Sequence, residues 1–144
     1  MRRLLCTIAL ACPSVAATPL AACELRNVTS VNFGVYDVFS SVDDDSTGSV
    51  RVRCTPSTIP YTLKLFAGNS GRFSQRVLTS AGDRLNYNLY MDAARTRIWG
   101  DGTDGSSVES GNTRKTFTIY GGLPAGQDPT VGAYSESIVI LVEF

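Results

Sequence analysis

Four cysteines, Cys6, Cys12, Cys23 and Cys54, carry the clearest chemistry in this 144-residue chain. A thiol pair can close a disulfide, hold a metal or supply a nucleophile, and the compartment decides among these. The chain contains no histidine, so the commonest general base and the commonest metal ligand are absent. Serines are plentiful, yet neither a Gly-x-Ser-x-Gly elbow nor a Ser-x-x-Lys motif accompanies them. Any two carboxylates could be brought together for glycoside hydrolysis, which singles out no pair. Asp101-Gly102-Thr103-Asp104-Gly105 has the composition of a calcium loop but lacks the alternating ligands and closing glutamate of an EF-hand. It reads as a solvated turn, as does Asp43-Asp44-Asp45. The expectation is a protein that is not an enzyme and uses no cofactor or metal.

The start of the chain assigns the compartment. Arg2 and Arg3 precede an apolar run from Leu4 to Ala11, and Val15-Ala16-Ala17 suits a cleavage site. Residues 1–17 therefore read as a secretory signal peptide, with cleavage possible as late as residue 22. Pro13 and Ser14 interrupt the run well short of the roughly 20 apolar residues of a membrane span, so no direct membrane insertion is expected. Losing the signal removes Cys6 and Cys12 and leaves an even pair in an oxidising compartment. A Cys23–Cys54 disulfide would close a loop of about 30 residues and contribute on the order of 3 kcal/mol. The competing reading takes Leu20-Ala21-Ala22-Cys23 as a lipobox with Cys23 acylated, which would leave Cys54 a free thiol.

Thirteen basic residues balance thirteen acidic ones, and loss of Arg2 and Arg3 leaves eleven against thirteen. Such near-neutrality argues against a nucleic-acid partner and against a polybasic membrane patch. Residues 18–144 are the length of one ordinary domain.

The elements that position the cysteines read as strands. Val31–Val38 alternates around Phe33 and Tyr36, the stretch from Asp43 to Gly48 turns the chain, and Ser49–Cys54 follows as a second strand. Tyr61–Phe66 sets Leu63 and Leu65 on one face, and Leu85–Met91 sets Leu85, Tyr87, Leu89 and Met91 opposite Asn86, Asn88 and Tyr90. Trp99 begins a Gly- and Ser-rich connection through Gly111, and as a lone tryptophan it reads as packing rather than as a ligand anchor. Thr116–Tyr120 is another strand, and Gly121, Gly122, Pro124 and Gly126 mark a loop. The class is all-β, an immunoglobulin-like β-sandwich.

Ser137–Phe144 places Ile138, Ile140, Val142 and Phe144 on one face and Val139 and Leu141 on the other, with Glu143 as the sole charge from Ile138 onward. An open edge of this composition would template aggregation. Two readings fit: a central strand already flanked within the chain, or a strand whose partner comes from another polypeptide by β-strand addition.

Seven short motifs then follow in order: Phe33-Gly34-Val35-Tyr36; Gly48-Ser49-Val50 leading to Cys54; Tyr61-Thr62-Leu63-Lys64-Leu65 with Gly68; Leu85-Asn86-Tyr87-Asn88-Leu89-Tyr90; Trp99-Gly100-Asp101-Gly102; Tyr120-Gly121-Gly122-Leu123-Pro124 with Gln127; and Gly132-Ala133-Tyr134-Ser135-Glu136. Together with both cysteines they resemble the spore coat protein U domain, which is similar to pilins of the archaic chaperone-usher pathway. The resemblance implies an incomplete sandwich, a donor-strand acceptor lacking its seventh strand. A periplasmic pilus chaperone would fill the gap in transit, and a neighbouring pilin subunit's donor strand would fill it after passage through an outer-membrane usher. Ile138, Ile140, Val142 and Phe144 would form one wall of that donor-strand groove. Fibre-forming relatives carry a donor extension before the first cysteine, whereas cleavage after Ala17 leaves five residues there, spanning at most about 18 Å and including Pro19. The expectation is a terminal or tip subunit, or a coat protein, exported through the periplasm to the cell surface or secreted and supporting adhesion or biofilm formation. The alternative is a self-sufficient extracytoplasmic module that binds carbohydrate or another surface ligand.

Overall fold

The computed structural model describes residues 20–144; the signal peptide read over residues 1–17 lies outside them. Period-two alternation yields eight strands: β1 (Ala22–Thr29), β2 (Asp44–Thr55), β3 (Tyr61–Leu65), β4 (Arg76–Ser80), β5 (Asp83–Tyr90), β6 (Glu109–Gly111), β7 (Lys115–Leu123) and β8 (Ile140–Glu143). Five form one antiparallel sheet in the order β1-β2-β7-β5-β4, and three form a second in the order β6-β3-β8. The inner faces close on a single core. Val50 and Val52 of β2, Phe117 and Ile119 of β7, and Leu85 and Leu89 of β5 pack against Tyr61, Leu63 and Leu65 of β3. This is the immunoglobulin-like sandwich that the alternation predicts. No helix of the described residues is long and apolar enough to cross a membrane.

Cys23 lies directly opposite Cys54 in the β1–β2 register, and a disulfide joins them. Trp99 is fully buried, its indole N–H donating to the Leu63 carbonyl at 3.1 Å and its ring packing on Phe117. Asp101 accepts the backbone N–H of Thr103 at 2.9 Å and its hydroxyl at 2.6 Å, a local turn of the kind its composition predicts.

Several segments differ from the sequence reading. Val31–Val38 contains no strand and runs as an irregular segment, Val31 and Phe33 packing against Gly48 of β2 and Gly121 of β7. Asp44 to Gly48, expected as a turn, is the first part of β2 and pairs with Leu123 to Ile119 of β7; Gly121 and Gly122, expected as loop, lie in that same ladder. The cause is steric. A Cβ at Gly121 would lie 2.5 Å from Val31 and 2.7 Å from Phe33, and one at Gly48 would lie 2.5 Å from the Thr29 carbonyl, so both glycines admit the crossing segment. β1, β4 and β6 were not anticipated. In β4 the alternation is broken by Arg76, which is fully buried. Its guanidinium donates to the carbonyls of Phe66 and Trp99 and to the Asn88 side chain, while Asn88 in turn donates to the Phe73 carbonyl. Burial lowers the pKa of this guanidinium.

Candidate functional site

β8 pairs antiparallel with β3, Ile140 opposite Leu65 and Val142 opposite Leu63. Just before it, Val139 accepts the N–H of Phe66 at 3.0 Å, so Val139 faces β3. In a pleated strand the neighbours Ile138 and Ile140 turn their N–H and C=O groups the other way. Among the described residues, no strand pairs with β8 on that side.

A cleft of about 790 Å³ opens there. Segment 28–36 forms one wall and segment 129–140 the other, and the floor is the core itself: Leu65, Leu85, Tyr87, Leu89, Ile119 and Leu123. Its volume and apolar lining are those of a binding site.

The first wall is tied to the sheet beneath it. Ser46 donates its hydroxyl to the Asn32 carbonyl at 2.6 Å. The Tyr36 hydroxyl donates to the Pro124 carbonyl and accepts the Gln127 N–H, both at 2.9 Å. Gln127 also repairs the β5–β7 ladder. Asn88 pairs with Gly122, so Asn86 comes opposite Pro124, which has no N–H to give. The Gln127 amide takes its place, accepting the Asn86 N–H at 2.7 Å and donating to the Asn86 carbonyl at 2.9 Å.

The second wall is anchored at two points. Asp83, the first residue of β5, accepts the N–H of Thr130 at 2.6 Å and the hydroxyls of Thr130 and Tyr134. These bonds, the Thr130 N–H first and the Arg84 N–H next, hold its carboxyl well below the usual carboxylate range. Further along, Ser135 exchanges backbone hydrogen bonds with Thr79 of β4 at 3.1 and 3.2 Å. Glu136 then accepts the Tyr87 hydroxyl and the Asn69 N–H. Burial, and next the bond to Glu136, push the Tyr87 pKa far above its ordinary value, so Tyr87 remains a proton donor.

Of the four residues placed on a groove wall by sequence, Ile138 and Ile140 line this cleft. Val142 packs on the core where β8 approaches β1, and Phe144 is exposed; neither is in the lining. Sequence reasoning missed the opposite wall, Val31, Phe33 and Tyr36. The available signal was Gly48 and Gly121, which face inward where the alternation calls for side chains.

Main-chain groups along a free edge, beside an apolar trough, are suited to take up an extended peptide. The fold and cleft therefore define a class, immunoglobulin-like sandwiches with a strand position open at one edge. The Spore Coat Protein U domain family matches residues 9–141, and the chain belongs to that family. Membership sets it among structural, non-enzymatic proteins. It is 33% identical to "Protein U" of Myxococcus xanthus over 129 residues, 80% of this chain and 72% of that protein. Its fold is shared with a crystal structure of the CsuC–CsuE chaperone–tip adhesion subunit pre-assembly complex from archaic chaperone-usher Csu pili of Acinetobacter baumannii. That likeness has a TM-score of 0.62 at 23% identity and covers 87% of this chain; this chain spans 40% of the length of the matched one.

Proposed function

We propose that this protein is a structural subunit of an exported pilus or surface coat, assembled by taking a β-strand from another polypeptide into the cleft beside Ile138 and Ile140. The observation that carries this reading is the conjunction of a β8 edge that pairs with no strand among the described residues and a cleft floored by the apolar core. A donated strand would extend the β6-β3-β8 sheet through main-chain hydrogen bonds and set alternate side chains on Leu65, Leu89 and Ile119. In transit the strand comes from a periplasmic chaperone, and after the usher from a neighbouring subunit; the chaperone complex of the A. baumannii tip subunit supports the first step. A terminal or tip position, with a role in adhesion, is supported by that same neighbour, and a part in biofilm formation extends this reading.

The test is an unfolding curve of the exported protein, purified from a bacterial periplasm, with and without synthetic peptides of alternating apolar residues. A donor peptide at a hundred times its Kd should stabilise the protein by about 2.7 kcal/mol. The protein alone should aggregate or unfold at low denaturant and form no long fibres. Reversible, cooperative unfolding that no peptide shifts would instead identify a self-sufficient sandwich.

A further inference from the structure

Glu136 is, among the described residues, the one charged side chain lining the cleft. The polar groups nearest it along the wall, Ser135 and Tyr134, are neutral. Its carboxylate is fixed rather than free to swing away, because one oxygen accepts the Tyr87 hydroxyl and the other the Asn69 N–H. Gly68 is part of this seat: a Cβ there would run into the Glu136 carboxylate and Ile138. A carboxylate offers about four acceptor positions, and two bonds leave capacity for another donor. The buried cation Arg76 does not line the cleft, and its guanidinium is engaged by Phe66, Trp99 and Asn88. An entering strand thus meets a fixed negative group, two residues before Ile138, in a cleft whose other lining side chains carry no charge.

We propose that Glu136 makes the cleft charge-selective, favouring a donor strand that brings lysine or arginine beside it and rejecting one that brings aspartate or glutamate. This rests on the donor-strand reading above. Seating displaces water from the trough, so a cation there gains a charge-assisted hydrogen bond. A second carboxylate would be desolvated against a like charge, the kind of repulsion by which interfaces exclude wrong partners. The partner is therefore a strand of alternating apolar residues interrupted by one basic side chain, and the position of that residue fixes its register.

The experiment uses the exported protein and a set of alternating-apolar peptides in which threonine, lysine or glutamate is placed at each position in turn, with Kd read by fluorescence anisotropy. At one position lysine should bind at least about tenfold tighter than glutamate. The difference should shrink in E136Q, and with added salt in the unmodified protein, which reports the same interaction if E136Q does not fold. Equal affinities for lysine and glutamate at every position overturn the charge selection and leave the acceptor reading standing. Failure of the threonine peptides to bind at all overturns both.

Discussion

Phe33 stands edge-on to Tyr87, ring centroids 6.0 Å apart and planes at 71°. Phe33 belongs to the irregular wall and Tyr87 to β5 in the floor, so this contact is where the two halves of the cleft meet. Such edge-to-face pairs contribute about 0.5–1.5 kcal/mol beyond the area they bury. Gly121 makes this approach possible on one side, and the Tyr87–Glu136 hydrogen bond carries it across to the other wall. The cleft is thus held open by named contacts around its floor.

Replacing Gly121 by valine should close part of the cleft without unravelling the sheet. The atoms that its Cβ would strike are the side-chain carbons of Val31 and Phe33, so the wall shifts while β7 stays paired. The expected cost is about 1–3 kcal/mol of stability. Peptide affinity should fall by more than that destabilisation alone accounts for, which calorimetric titration alongside a denaturant curve would reveal. Unchanged affinity in G121V would mean that the wall of residues 31–33 does not shape the site.

Arg76→Met should be among the most damaging substitutions outside the core apolar residues. It leaves the carbonyls of Phe66 and Trp99 without their buried side-chain donor, while the Asn88 oxygen keeps only the Leu89 N–H. Each buried orphan costs roughly 1–3 kcal/mol, so a loss of about 3 kcal/mol or more is expected in urea unfolding. Arg76→Lys should recover only part of this, because an ammonium lacks the planar fork that reaches several acceptors at once.

Acid should loosen the second wall first. Asp83 has a folded pKa held below its unfolded value, so its stabilisation is complete above about pH 4. It is lost as the pH falls from there toward the folded value, where protonation removes the acceptor of the Thr130 and Tyr134 bonds. The protection of the Thr130 amide, its exchange rate set against the intrinsic rate of an unstructured amide at the same pH, should fall across that window as the pH is lowered to about 2. Asp83→Asn should be less stable at neutral pH and show a flatter dependence over the same range. Identical acid profiles for the two proteins would remove Asp83 as the anchor.

Much of the sandwich was readable without coordinates. Leu63 and Leu65, Leu85, Tyr87 and Leu89, and Phe117 and Ile119 all alternate in the sequence and all point inward. Their period of two depends on nothing beyond the pleat. Arg76 and β4 escaped notice because a buried cation breaks the apolar pattern, and its partners are mostly carbonyls, which no sequence displays. Gly121 and Gly122 were misread because glycine marks loops by its backbone freedom but marks close packing by its missing side chain, and composition does not separate the two uses.

The order of residues by itself determined the all-β class, the pairing-ready cysteines, the family, and the apolar face that Ile138 and Ile140 present. Those follow from local alternation, parity and short motifs, each contained within a few neighbouring positions. Only the tertiary structure decided that Val31–Tyr36 is a wall instead of a strand, that Val142 and Phe144 stand apart from the cleft, and that Glu136 is seated within it. These outcomes depend on contacts such as Phe33 with Gly121 and Glu136 with Tyr87, between segments far apart in the chain. Close approach across that distance is settled by how the two sheets pack, not by any stretch of sequence read alone.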